Sequence, residues 1–132
     1  NQMIAQNSKG KIINVASMLS YFGGWTVPAY AASKGGVAQL TKALSNEWTE
    51  KGINVNAIAP GFFLTEQNRT LLTNPDGSLT DRSKTILAHT PFNRFGEPED
   101  LYGTIHYLIS DASNFVTGTV AVIDGGFDAF SI

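Results

Sequence analysis

Tyr30 and Lys34 stand four residues apart in the run Tyr30-Ala31-Ala32-Ser33-Lys34. On a helix that spacing puts both side chains on one face. A phenol has an ordinary pKa of about 10 and is a poor proton acceptor near neutrality. An ammonium one turn away favours the phenolate and brings the group into the range of acid–base work. Ser17 lies thirteen residues before Tyr30 and follows the apolar run Ile12-Ile13-Asn14-Val15-Ala16. That places it at the C-terminal end of a strand, the edge where parallel α/β sheets bind ligands. A hydroxyl there can hold a substrate oxygen beside the phenol. Each feature alone has a plainer reading. Tyr-x-x-x-Lys on a helix is usually surface, and a serine after a strand usually caps a turn. Gly35 and Gly36 follow Lys34 directly. Two glycines inside a helix cost roughly 1 kcal/mol each, so they predict close backbone approach beside the pair.

The elements that must position these residues follow from periodicity and punctuation. Residues 1–8 read as the end of a helix, closed by Asn7-Ser8-Lys9-Gly10. The β-branched residues of 12–16 predict a strand buried on both faces. Pro28 suits a first helical turn, and the helical pattern continues to about Lys51, with Val37, Leu40, Leu44 and Trp48 as its apolar face. Gly52 is a stop. Ile53 to Ala59 predicts a second strand, ended by Pro60-Gly61. Residues 62–96 are the least regular stretch, with a turn at Asn74-Pro75-Asp76-Gly77 and a short helix over Thr80–Ala88. Pro98-Glu99-Asp100 opens a further helix with Leu101, Ile105, Leu108 and Ile109 on one face. Thr119 to Ile123 predicts a third strand. Strand, helix, strand, insert, helix, strand implies right-handed crossovers and a parallel sheet in one domain.

Composition narrows the function classes. The chain has 132 residues, 42% of them hydrophobic and 15% charged, as in ordinary globular domains. A net charge of −2 without a basic stripe argues against nucleic acid as a partner. With no cysteine there is no disulfide, thiolate nucleophile or cysteine metal site, and no metal is expected. No apolar run reaches the roughly 20 residues of a membrane span. Asn1-Gln2-Met3-Ile4-Ala5 does not read as a signal peptide. The expected compartment is the cytoplasm.

In order along the chain come Ser17, then Tyr30-Ala31-Ala32-Ser33-Lys34, then Asn54-Val55-Asn56-Ala57-Ile58-Ala59-Pro60-Gly61 with Thr65. Arg94-Phe95-Gly96 with Pro98-Glu99-Asp100, Val116-Thr117-Gly118 and Asp124-Gly125-Gly126 follow. This series resembles the C-terminal half of the short-chain dehydrogenase/reductase family over nearly the whole chain. The resemblance implies an α/β fold, the last three strands of a Rossmann-type doubly wound parallel sheet with their crossover helices. It implies an NAD- or NADP-dependent oxidoreductase that interconverts a secondary alcohol and a ketone. Tyr30 would be the general acid/base, Ser17 would hydrogen-bond the reacting oxygen, and Lys34 would lower the Tyr30 pKa and bind the nicotinamide ribose. Pro60, Gly61, Phe63 and Thr65 would line the nicotinamide and diphosphate side. Asn14 and Val15 would position Ser17.

The family's Gly-x-x-x-Gly-x-Gly phosphate-binding pattern has no counterpart among residues 1–132, where no Gly-x-Gly occurs. Residues 1–132 are therefore expected to be the catalytic half of one NAD(P)-binding domain, with the glycine-rich half elsewhere. The segment Leu71–Thr80, Ala88-His89-Thr90-Pro91 and the ending Phe127, Ala129, Phe130, Ser131 resemble the sugar-acid branch of the family. That implies a small-molecule substrate of the D-mannonate/D-fructuronate or gluconate type. Arg69, Arg82, Lys84, His89 and Arg94 give the insert a basic bias suited to an anionic substrate. His89 by itself reads as a structural or surface histidine, and Arg94 as an anchor for the loop. The resemblance implies a homo-oligomer, dimer or tetramer. The alternative is an inactive fragment serving only as an oligomerisation or binding module, through the helices near 28–50 and 98–110.

Overall fold

The computed structural model describes residues 1–66 and 68–130; Ser131 of the terminal motif lies outside them. The element order is α1 (Gln2–Ala5), β1 (Gly10–Val15), α2 (Pro28–Trp48), β2 (Ile53–Pro60), α3 (Arg69–Leu72), α4 (Asp81–Ala88), α5 (Glu99–Ile109) and β3 (Val120–Ile123). The three strands form one parallel sheet in the order β1-β2-β3. Gly10 faces Ile53 at one end of the β1–β2 pair, and Pro60 faces Ile123 at the end of the β2–β3 pair. This is the expected partial Rossmann-type arrangement.

Central position decides burial. β2 is buried along most of its length, while β1, with a partner on one edge only, is half-buried and leaves Val15 55% exposed. The expectation of a first strand buried on both faces is corrected accordingly. Ala16, Ala57 and Ala59 form a core cluster against which Val37 and Val120 pack.

The helices run as expected, but their buried faces differ. In α2 the buried residues are Ala38, Thr41 and Ser45, whereas Leu40 is 51% exposed. Small side chains let the helix approach its neighbours closely. A Cβ on Gly118 would lie 2.7 Å from Ser45 Oγ, and Asn14 Nδ2 donates to Thr41 Oγ1 at 2.9 Å. In α5 only Leu108 is buried, and Ile109 is 52% exposed. Beside Gly35 and Gly36, apart from the adjoining residues and the helix's own backbone, nothing lies within 4 Å of where a Cβ would stand, so the close approach expected there is not found among the described residues.

Candidate active site

The sharp turn after β1 is built from serines. Ser17 is buried and opens a 3-10 turn over Met18–Ser20. Its Oγ accepts from the Leu19 amide at 3.2 Å, and Ser20 Oγ accepts from the Ser17 amide at 3.3 Å. Because Ser17 Oγ accepts, its own O–H remains available to donate to an external oxygen. Ser20 Oγ donates onward to the Lys34 carbonyl at 2.7 Å, tying the turn to α2. Ser20 was not foreseen as a positioning residue, although its place three residues after Ser17 is the capping-box spacing that signals this role.

Lys34 closes the connection from the other side. Its Nζ donates to the Val15 carbonyl at 2.8 Å and lies 5.7 Å from the centroid of the Tyr30 ring. An ammonium has three N–H donors, so two remain for oxygens of a bound molecule. Tyr30 sits in the first turn of α2, after Pro28 at the helix start. Its side chain is 47% exposed, and its hydroxyl has no hydrogen-bond partner among the described residues. Ser17, Lys34 and the Tyr30 ring are thus gathered round the C-terminal end of β1. The nearby Tyr21 is spoken for: its hydroxyl donates to the Val120 carbonyl at 3.0 Å, and burial, then Asp128, push its pKa up. Between these residues Thr26 holds φ at +69°, a rare conformation for a β-branched residue and a mark of local strain.

The other candidates follow β2. The Gly61 amide donates to the Ile123 carbonyl at 2.9 Å, and a Cβ on Gly61 would stand 2.5 Å from Asp124 Cβ and 2.7 Å from Asp124 Cα. Only glycine permits that approach, which holds the ends of β2 and β3 together beside Pro60. Thr65 and Phe63 are joined by Asn68, whose Oδ1 accepts from the Thr65 amide at 2.8 Å and whose Nδ2 donates to the Phe63 carbonyl at 2.7 Å. Asn68 carried no sequence signal, because only the folded loop brings it to both.

A cavity of about 350 Å³ opens beside these loops, lined by Phe63, Arg94, Asp100 and Asp124 among others. Ser17, Tyr30 and Lys34 are not among its walls, and the Phe63 ring packs against Gly96. The cavity's charges are internally paired. Arg94 grips Asp100 at 2.6 and 2.9 Å, and its guanidinium holds the Asp100 carboxyl well below the usual carboxylate range. Asp124 accepts from the amides of Gly126 and Asp128. Arg94 therefore anchors the loop to α5, as its place in the sequence suggests. Arg69 pairs with Glu66 at 2.9 Å and Lys84 with Asp81 at 3.0 Å. The basic bias expected of the insert is largely neutralised by local acids. No group of three or more potential metal ligands occurs among the described residues. No helix among them is long and apolar enough to cross a membrane.

The chain is similar to known proteins in sequence and fold. A family model described as enoyl-(acyl carrier protein) reductase matches residues 1–128. The chain is 50% identical over 121 residues to the uncharacterized oxidoreductase UxuB of Bacillus subtilis, covering 91% of this chain and 44% of that protein. It is 48% identical over 126 residues to the 2-dehydro-3-deoxy-D-gluconate 5-dehydrogenase of Pseudoalteromonas atlantica, covering 96% and 47%. Among solved structures, a gluconate 5-dehydrogenase from Burkholderia cenocepacia in complex with NADP and tartrate superposes with a TM-score of 0.87 at 38% identity, covering 99% of this chain and 49% of that one. A protein of Haemophilus influenzae described as a D-mannonate oxidoreductase, with bound NAD, gives 0.88 at 41% identity, covering 98% and 48%. The chain spans about half the length of the relatives it matches.

Proposed function

The chain belongs to the short-chain dehydrogenase/reductase family, and from that premise we propose that it supplies the catalytic half of an NAD(P)-dependent sugar-acid dehydrogenase. The observation that carries the reading is the Ser17–Lys34–Tyr30 arrangement at the end of β1, with Lys34 bonded to the Val15 carbonyl and set beside the phenol ring.

In the direction of oxidation, the Tyr30 oxygen takes the proton of the substrate hydroxyl while the carbon becomes a carbonyl. In reduction, Tyr30 returns the proton to the carbonyl oxygen. Ser17 donates its free O–H to that same oxygen and keeps it within reach of the phenol. Lys34 stabilises negative charge as it develops on the Tyr30 oxygen, and its two remaining N–H groups suit vicinal ribose hydroxyls. That donor set is the fit to a nicotinamide nucleotide. Bound there, the nicotinamide supplies the hydride acceptor or donor. Pro60 and Gly61, with Thr65 and the main chain of Phe63, form the adjoining wall. In this reading the phosphate-binding glycines are contributed by residues outside 1–132, consistent with the length of the relatives.

The sugar-acid class rests on the relatives that act on gluconate-type acids. The proposed compartment is the cytoplasm, where a nicotinamide pool is at hand. Homo-oligomerisation is proposed through the exposed apolar residues Leu40, Tyr102, Tyr107 and Ile109 of α2 and α5. A panel of aldonates, ketouronates, steroids and acyl thioesters, assayed by NAD(P)H absorbance with the protein at full natural length, tests the function. Turnover of sugar acids is expected; activity confined to steroids or thioesters refutes it.

A further inference from the structure

His89 stands at the end of α4, and its ring is held in place from three sides. Its Nδ1 lies 3.0 Å from the Thr85 carbonyl. A carbonyl can only accept, so Nδ1 carries the proton of the neutral ring, and Nε2 presents a lone pair. The ring centroid is 5.8 Å from that of Phe130, edge to face, and 6.3 Å from that of Phe127. Phe127 in turn stacks with Phe22 at 6.0 Å and meets Phe62 edge-on at 5.3 Å. Phe22 lies five residues after Ser17, and Phe62 two after Pro60. The aromatic group therefore joins the loops that leave the C-terminal ends of all three strands.

The segment after His89 is clamped to the same rim. The Phe92 amide donates to the Gly125 carbonyl at 3.1 Å. Gly125 and Gly126 adopt φ of +67° and +90°, and Cβ atoms there would crowd Thr90 and Pro91 at 3.0 Å. Thr90 is buried, with its hydroxyl donating to the Ile86 carbonyl at 2.8 Å. His89 itself is exposed, and its Nε2 has no hydrogen-bond partner among the described residues.

We propose that His89 is a specificity-determining residue whose Nε2 accepts a hydrogen bond from a hydroxyl of the sugar-acid chain, at a carbon remote from the reacting one. The inference rests on the dehydrogenase reading above and names what that site recognises. In the tautomer set by the Thr85 carbonyl, Nε2 accepts from an O–H donor, so His89 reads a hydroxyl of the chain. The Thr85 bond and the flanking Phe130 ring orient the imidazole before binding, which lowers the freedom lost when a ligand is held. Discrimination by hydrogen bonding is strong where a hydroxyl is missing, because the protein's polar atom is then left without its partner.

The test compares kcat and KM of the protein at full natural length for its preferred aldonate and for that aldonate's monodeoxy analogues. Wild type, His89→Phe and His89→Gln are measured side by side. The wild type is expected to show a KM for one deoxy analogue on the order of five- to tenfold above the parent. His89→Phe preserves the ring packing, raises the parent KM by about the same factor, leaves kcat unchanged and no longer distinguishes that analogue. His89→Gln, which keeps a polar atom near the Nε2 position, recovers part of the discrimination. Unchanged KM values in His89→Phe overturn the inference, as does an equal loss for every substrate with a lowered Tm. Should His89→Phe not fold, unaltered discrimination by His89→Gln together with His89→Leu overturns it. If the wild type turns over no sugar acid at all, the underlying functional reading falls, and this inference with it. Normal sugar-acid turnover with indifferent His89 variants refutes only the inference.

Discussion

Replacing Tyr30 by Phe separates catalysis from stability more sharply than any other single change at this site. The Tyr30 hydroxyl makes no internal hydrogen bond among the described residues, and the side chain is half exposed. Phe keeps the ring beside the Lys34 ammonium and disturbs neither the Lys34–Val15 bond nor the Ser20–Lys34 bond. No buried polar group loses a partner and no cavity opens. The expected stability change is within about 0.5 kcal/mol, which is under about 2 °C in Tm for a domain of the relatives' length. In the proposed site the reacting oxygen, by contrast, loses its proton partner, and removal of a positioned general acid/base lowers the rate by roughly 10² to 10⁴-fold. KM should move little, since on the same proposal Ser17 holds the oxygen. Steady-state NAD(P)H absorbance gives kcat and KM, and scanning calorimetry on the same samples gives Tm. A kcat within about threefold of wild type would end the assignment of proton transfer to Tyr30. A Tm fall of more than about 5 °C would show that the hydroxyl is structural and that the open geometry is wrong.

Gly61→Ala should destabilise by about 1–3 kcal/mol, since its Cβ meets Asp124 backbone and forces the ends of β2 and β3 apart; a denaturant midpoint equal to wild type contradicts that close approach. Asn56→Ala should cost roughly 3 kcal/mol. The side chain is fully buried, donates to the Val116 carbonyl at 2.9 Å and accepts from the Thr119 amide at 3.1 Å, so urea unfolding should show a clear loss with m unchanged. Asp100→Asn should matter at neutral pH and not in acid. The Asp100 pKa is lowered in the folded chain by Arg94, so its contribution is present above the ordinary carboxylate range and fades as pH falls below about 4. The gap between wild-type and variant unfolding midpoints should hold constant from pH 7 to about pH 5 and narrow progressively as pH is taken below about 4; a gap that does not narrow in acid would remove the ion pair as the cause.

Local periodicity and punctuation were enough to place the three strands within two residues at each end, and to place α2, α4 and α5. Each is bounded by a residue that acts on its own backbone: Pro28 at the start of α2, Gly52 after the turn that follows it, Thr80 capping α4. The short α3 was not foreseen, as four residues carry too little period to read. The Tyr30–Lys34 pair was visible because a single helical turn relates the two. Its tie to β1 through Ser20 and the Val15 carbonyl was only partly visible, since it joins residues fourteen and nineteen apart.

Sequence alone determined the parallel α/β class, from the order of its elements, and singled out Tyr30 and Lys34 as the candidate pair, from spacing within one helix. Tertiary structure decided which face of α2 is buried: Ala38, Thr41 and Ser45 in place of the apolar stripe through Leu40. It also brought His89 to the strand-end rim through Phe127. The physical reason lies in the packing partner. Thr41 and Ser45 satisfy their hydroxyls within α2 itself, but which face of the helix is buried depends on what packs against it, here Asn14 of β1 and Gly118 before β3, and those partners are set by the assembly of strands and loops rather than by neighbours along the chain.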